Sequence, residues 1–412
     1  MIACDVRKAV KRELKMAKSI TGSILFLLLL VSCTRQDELK IQAEQLAQSV
    51  IIVDTHIDTP YRLSTRQEDI SGKTTGNFNY PMARKGGLNV PFMSIYIPSE
   101  REDLGTANSL ADSLIDLVES IASTWPDKFA LAKSVADVYS NFSQGKISLA
   151  MGMENAAPVA GDLANLAYFY RRGIRYITLT HAKSNHICDS SYDPDRQWNG
   201  LSPFGREVVK EMNRLGIMID ISHVTDSTFY QVLSLSRTPL IASHSSCRKF
   251  TPGWERNMSD DMIKAMAAKG GVIQINFGSS FINDHWRKTY EPLWNYIEEK
   301  NLKFSDPGTL EYIRNFKKEH PADYADITEV IDHIEHVVNI AGIDHVGFGS
   351  DFDGVGDSLP DGLKDVSGYP NLIYELLKRG YSEEAITKIC SGNLLRVWSE
   401  VENFAARAFS QI

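Results

Sequence analysis

Cysteine is scarce in this chain and never paired by spacing. Five occur in 412 residues, at positions 4, 33, 188, 247 and 390, with no C-x-x-C among them. Neither a disulfide framework nor a thiolate zinc site follows from that pattern. Cys188 and Cys247 are the candidates for a single pairing in an oxidising compartment, if the fold brings them together. Positive charge is also short: 44 Lys and Arg stand against 52 Asp and Glu, a formal net charge of -8. That balance argues against a nucleic-acid partner, which needs clustered basic residues, although one local arginine can still bind a small carboxylate. There is no Gly-rich dinucleotide fingerprint, no repeat, and no apolar run of the about 20 residues that a membrane span requires.

The longest apolar run, Ile24 to Val31, is preceded by Lys11, Arg12, Lys15 and Lys18 and closed by Ser32-Cys33. A basic segment, a short apolar one and a small residue at the cut describe a secretory signal. Leu30-Val31-Ser32-Cys33 resembles a bacterial lipobox, whose cysteine is lipidated and becomes the new N-terminus. The expected organisation is a signal segment over 1–33, a polar linker over 34–46 and one catalytic domain over 47–412. Its expected place is the bacterial cell envelope, outside the cytoplasm and tethered through lipidated Cys33. An uncleaved anchor is the blander reading, disfavoured by the shortness of the run. Met16 is an alternative start.

Beyond the linker, short apolar segments alternate with helical patterns. The segments are Ser49–Asp54, Asn89–Ile97, Ile147–Met153, Ile174–Thr180, Ile217–Ser222, Pro239–Ser243, Gly271–Phe277 and His345–Gly349. Runs this apolar suit parallel strands buried on both faces. Between them, Leu110, Leu114, Leu117 and Ile121 repeat at helical spacing, as do Val208, Met212 and Leu215 before Gly216. Such alternation predicts an α/β fold, a (β/α)₈ barrel of the TIM type, over the rival open doubly wound sheet. Longer insertions at about 60–87, 183–202 and 279–325 are of a size that usually carries function or contacts a partner subunit.

Chemistry-bearing residues gather at the strand ends. Of ten histidines, His56, His181, His223 and His244 each close a predicted strand, and Glu154 and Asp351 close two others. The carboxyl ends of barrel strands converge on one mouth, so these groups should meet there. His56 and Asp58 are two apart, a spacing that lets both side chains of an extended segment face the axis and hold one cation. His223 and His244 can hold a second, and Glu154 has an oxygen for each. Imidazole and carboxylate without cysteine suit catalytic zinc. A lone strand-end histidine is more often a hydrogen-bonded structural group, and His186, His285, His320, His333, His336 and His345 are read that way. Asp54, Asp220 and Asp353 are equally compatible with caps or turns.

The same segments carry a resemblance. Val53-Asp54-Thr55-His56-Ile57-Asp58-Thr59-Pro60, Gly152-Met153-Glu154-Asn155, Thr178-Leu179-Thr180-His181, Gly200-Leu201-Ser202-Pro203-Phe204-Gly205, Ile221-Ser222-His223, Ser243-His244-Ser245-Ser246 and Gly349-Ser350-Asp351-Phe352-Asp353-Gly354 stand in order from about Gln48 to Val401. They resemble the membrane (renal) dipeptidases, the M19 peptidases of the amidohydrolase superfamily. The resemblance implies a pair of zinc ions (Zn2+) per subunit, one on His56 and Asp58, the other on His223 and His244, with Glu154 bridging. It also implies His181 as a substrate contact, Asp351 as the acid of the eighth strand, Arg256 as the grip on a substrate carboxylate, and a homodimer. Departures are Tyr61, where the renal form has Trp, Phe281 at a pocket tyrosine position, and a changed spacing before Arg256.

The activity this implies is hydrolysis of dipeptides with free amino and carboxyl ends by a metal-bridging hydroxide, since zinc lowers the pKa of water from roughly 15.7 toward about 7. In that scheme His181 hydrogen-bonds the oxyanion, while Asp351 takes the proton from the nucleophile and returns it to the leaving amine, catalytic roles both. Two alternatives stand beside it: a related amidohydrolase acting on N-acyl amino acids or β-lactams, and a lipid-anchored binding protein without catalysis.

Overall fold

Strand segments buried on both faces, each followed by an amphipathic helix, can pair only through parallel crossovers. The computed structural model describes residues 35–300, 302 and 306–409, and it has that architecture. The strands are β1 (Ile52–Ile57), β2 (Leu88–Tyr96), β3 (Phe129–Leu131), β4 (Ile147–Glu154), β5 (Ile174–Thr178), β6 (Met218–Asp220), β7 (Ile241–Ser245), β8 (Val272–Ile275) and β9 (Val346–Phe348). All pair in parallel in the order β1-β2-β4-β5-β6-β7-β8-β9, with β3 attached to β4 outside that path. The circle closes just past the last strand. Asp351 donates its N–H to His56 O at 3.0 Å, Asp58 donates to Phe352 O at 2.8 Å, and Ile57 bridges Phe352.

Alternation along the strands sorts side chains into two cores. Val53, Val90, Phe92, Ala150, Tyr176, Met218, Ile241 and Val272 point inward and form one cluster with Leu394, Val397, Trp398 and Val401. Those last four lie on the final helix, Asn393–Phe409, which therefore seals the amino end of the barrel. The outward set, Ile52, Met93, Ile95, Ile147, Ile177 and Ile273 among them, packs against the surrounding helices. The polar, open end is thus the carboxyl end.

Each strand predicted from the sequence is present, and helix limits follow their signals. Pro203–Leu215, for example, starts at Ser202, whose hydroxyl accepts from Gly205 N, and stops at Gly216, whose φ of 84° suits glycine. Three expectations need correction. The expected linker is helical from 35 onward, part of a helix over 35–49 whose Ala43, Leu46 and Ala47 are buried in the outer core. Cys188, Cys247 and Cys390 are all buried and free, so the Cys188–Cys247 pairing is not made. The 279–325 insertion is not a loop. It contains helices Ser279–Ile282, Asp284–Glu299 and Pro307–Glu319, with a small core of Trp286, Tyr290, Leu293 and Ile297. The signal segment and Cys33 lie outside the described residues. Among the described residues no helix is long and apolar enough to cross a membrane.

Candidate active site

Strand ends place the functional groups. His56 stands near the end of β1 with Asp58 just beyond, Glu154 ends β4, His244 lies in β7, and His223 and Asp351 follow β6 and β9. Asn155, His223 and Asp351 hold φ of 76°, 70° and 64°. Non-glycine residues rarely adopt that conformation, and here it turns the chain sharply so that side chains point back over the mouth.

Glu154 is the hub. Its Oε2 lies 3.4 Å from His56 Nε2, and its Oε1 lies 3.1 Å from His223 Nε2, 3.2 Å from His244 Nε2 and 3.7 Å from His181 Nε2. His223 and His244 face each other through their Nε2 atoms at 2.8 Å, and Asp58 Oδ2 is 3.5 Å from His56 Nε2. Ligand-type atoms of His56, Glu154 and His244, of Glu154, His181 and His223, and of His56, Asp58 and Asp351 fall into three groups, each within 4.8 Å. All six sequence-predicted strand-end groups and Asp58 therefore meet.

Behind the ligands, hydrogen bonds fix which nitrogen carries the proton. Tyr176 donates its phenol to Thr55 O at 2.9 Å, so its oxygen is left to accept from His56 Nδ1–H at 2.8 Å. Ser243 donates its hydroxyl to Asp220 at 2.6 Å, so its oxygen accepts from His244 Nδ1–H at 2.7 Å. In its neutral form each imidazole would therefore present its Nε2 lone pair to the mouth, the form a metal ligand needs. Asp220 is itself held by Thr178 Oγ1 at 2.5 Å and by the N–H groups of Ser222 and Ser243 at 3.0 and 2.7 Å. Asp54 accepts from His56 N, Ser350 N and the Tyr369 hydroxyl, tying β1 to β9. Burial pushes its pKa up to about 6.

Electrostatics match a cation. Burial lowers His244 well below the ordinary imidazole value, with His56 adding to it, and lowers His223 likewise, with Arg256 adding to it. Burial alone would raise Glu154, yet the surrounding imidazoles, His56 first, hold it well below the carboxylate range. Burial also opposes charge on His56, but Tyr176, Glu154 and Asp58 together keep it well above the usual value. The elevation of His56 marks negative charge at that side of the mouth, which a divalent ion would relieve. His56 Nε2 and Asp58 Oδ1 are buried without hydrogen-bond partners, and neutral imidazole with carboxylate is the donor set of hydrolytic zinc. The residues fit a metal centre.

A model of the membrane dipeptidase family, Peptidase family M19, matches residues 40–411. The chain belongs to the membrane dipeptidases. Dipeptidase aclJ from Aspergillus oryzae is 34% identical over 337 residues, which cover 80% of this chain and 71% of that protein. The probable dipeptidase PvdM from Pseudomonas aeruginosa has the same fold, with a TM-score of 0.78 at 27% identity over 90% of this chain and 100% of its own. Dipeptidase AC, a metallopeptidase of family M19, gives a TM-score of 0.71 at 25% identity over 86% and 99% of the two chains. The barrel is the fold of these dipeptidases, and the chain is an M19 metallopeptidase.

Within this membrane dipeptidase the other predicted residues sit around the hub. Arg256 is buried beside His244, donating to Ser245 Oγ at 2.7 Å and His244 O at 2.9 Å, with Nε unpartnered and Phe281 5.0 Å below. Tyr61, half-buried on helix Thr59–Thr65, meets Tyr96 edge-on at 5.0 Å. Burial, reinforced by Asp58, lifts Asp351 to a pKa of about 7.

Several neighbours escaped the sequence reading. Tyr96 ends β2 and packs 4.9 Å from His181, so the strand-end rule could have found it. Asn276 donates to Asp351 Oδ2 at 2.8 Å while its own oxygen accepts from Gly278 N, which fixes the amide's orientation. Tyr192, on the 183–202 insertion, lies 5.7 Å from the His223 ring. Asn276 directly follows β8, so the same rule reaches it, whereas nothing local in the sequence marks Tyr192. Gly152, quoted for the family resemblance, has a packing reason: a Cβ there would lie 2.0 Å from the Tyr176 ring.

Proposed function

We propose that this M19 peptidase is a binuclear zinc dipeptidase that cleaves dipeptides with free amino and carboxyl ends. The observation that carries the reading is the position of Glu154, which offers one oxygen to His56 and the other to His223 and His244. On this reading His56 and Asp58 hold one ion, His223 and His244 hold the other, and Glu154 serves both. When bound, the ions would supply Lewis acidity at the scissile carbonyl and an activated water as nucleophile.

The protein's own groups do the rest. Asp351, buried beside His56 and Asp58, is placed to accept the nucleophile's proton and return it to the leaving amine. Asn276 holds one of its oxygens and leaves the other facing the mouth. His181, half-buried and lowered by burial, is placed to hydrogen-bond the developing oxyanion. Arg256 is a buried cation that can pair with the substrate carboxylate. Recognition of the free carboxylate by Arg256 closes the substrate at its C-terminal end, one residue beyond the scissile bond. The remainder of the proposal is an envelope enzyme tethered through lipidated Cys33 and acting as a homodimer.

His181→Ala should lower kcat about a hundredfold or more while zinc content stays at the parent value. Steady-state kinetics and metal analysis on one preparation check both. Loss of zinc along with activity would show that His181 holds metal and contradict the assignment.

A further inference from the structure

Two insertions meet beside Arg256 and form an aromatic strip. Tyr192 lies 5.7 Å from the His223 ring and 6.1 Å from Trp254, and Trp254 lies 5.2 Å from Phe281, the ring beneath Arg256. The strip thus runs from the proposed reaction centre to the proposed carboxylate grip. It is held in place. Ser191 donates its N–H to His223 O at 2.7 Å, Ser190 bridges Val224, and Arg196 pairs with Glu255 at 2.6 Å. Arg287, from helix Asp284–Glu299, lies 5.6 Å over Trp254 and backs it from the other insertion.

Phe281 is buried, but the other two rings are not fully covered. Tyr192 is 42% exposed and Trp254 half-buried, beside a mouth whose ligand groups are almost wholly buried. Rigid, accessible aromatic surface at that place has apolar area still to lose to a ligand.

We propose that Tyr192, Trp254 and Phe281 line the subsite for the side chain of the substrate's C-terminal residue, and that it favours dipeptides ending in a large apolar or aromatic residue. The inference rests on the dipeptidase reading above, with Arg256 as carboxylate grip. A dipeptide stretched from the Glu154–His223 centre to Arg256 must pass its C-terminal Cα between them. Its side chain then leaves toward Tyr192 and Trp254. Tyr61 and Tyr96 lie instead by His181, so they border a different part of the mouth.

The test compares kcat/KM for Ala-Ala, Ala-Leu and Ala-Phe with the zinc-loaded chain. Ala-Phe should exceed Ala-Ala by roughly tenfold to a hundredfold, the range an apolar pocket gives for several buried carbons. Tyr192→Ala and Trp254→Leu should each shrink that ratio by about tenfold, whatever they do to absolute rates. Tyr230→Ala, an exposed ring on helix Asp226–Leu235, should leave it unchanged. A parent ratio near one, or a ratio that neither strip variant moves, overturns the subsite while leaving the dipeptidase reading intact. Failure to hydrolyse any of the three overturns both.

Discussion

Replacing Asp220 by Asn changes one atom and should disable one side of the metal centre. Asp220 accepts four hydrogen bonds, two from backbone N–H groups on Oδ1 and two from hydroxyls on Oδ2. An amide cannot serve both sets. If its NH2 faces the hydroxyls, Ser243 must accept rather than donate, and its proton turns toward His244 Nδ1. That flips the His244 tautomer and places a proton on Nε2, where the lone pair is needed. If the NH2 faces the backbone instead, it opposes the N–H groups of Ser222 and Ser243 and leaves them unpaired. The first arrangement costs metal affinity, about 10–100-fold for loss of an orienting partner. The second costs stability, about 1–3 kcal/mol for buried donors left without acceptors. Zinc titration of metal-stripped protein by calorimetry, alongside thermal unfolding of the same samples, reads both. The binding step assigned to His223 and His244 should weaken while the His56–Asp58 step stays within about threefold. Unchanged affinity in both steps together with unchanged unfolding would refute the relay.

Gly354→Ala should abolish hydrolysis and zinc binding at the Asp58 side with little loss of fold, because a Cβ there would lie 2.2 Å from both Asp351 Oδ1 and Asp58 Oδ2. Metal content and near-ultraviolet dichroism together check it, and full zinc loading would contradict it. His333, buried on helix Ile327–Ala341, accepts from Cys247 N at 3.0 Å and donates from Nε2 to Ile282 O, and burial pushes its pKa down to about 3. The folded protein therefore binds fewer protons at this site than the unfolded chain between about pH 3 and 6.5, so stability falls as pH falls through that window. His333→Gln should be less stable than the parent near pH 7 by about 1–3 kcal/mol, with the gap narrowing on acidification. Denaturant unfolding across pH tests this, and parallel curves would contradict it.

The barrel was legible because its signal is local. Val, Ile, Leu and Phe runs of strand length recur at crossover spacing, and each strand the pattern predicts is found in the barrel. Errors came where polar residues occupy strand backbone. β1 was placed at Ser49–Asp54 but spans Ile52–Ile57, since Asp54, Thr55 and His56 carry function rather than apolar bulk. Ser49 instead ends the helix that the polar composition of 34–46 concealed. β3 is three residues long, below the reach of any periodicity.

The meeting of His56, Glu154, His181, His223, His244 and Asp351 was readable because they stand at or near the ends of six different strands, and barrel topology brings strand ends together. Its supports were not. Asp220 looked like a turn residue, and its work depends on Thr178 and Ser243 from two other strands. Asn276 and Tyr192 matter through contacts with Asp351 and His223 that lie 75 residues apart in one case and on a long insertion in the other. Left-handed backbone at His223 and Asp351 is likewise invisible in composition.

The proposed function asks these side chains to grip a pair of cations across Glu154. Metal analysis of zinc-loaded protein after exhaustive desalting tests it most directly, with Glu154→Gln, His56→Ala and His223→Ala alongside. The parent should retain a pair of zinc ions per chain, each histidine variant a single ion, and Glu154→Gln should hold both more weakly. A parent that keeps no zinc, or a His223→Ala protein that keeps the full pair, would contradict it.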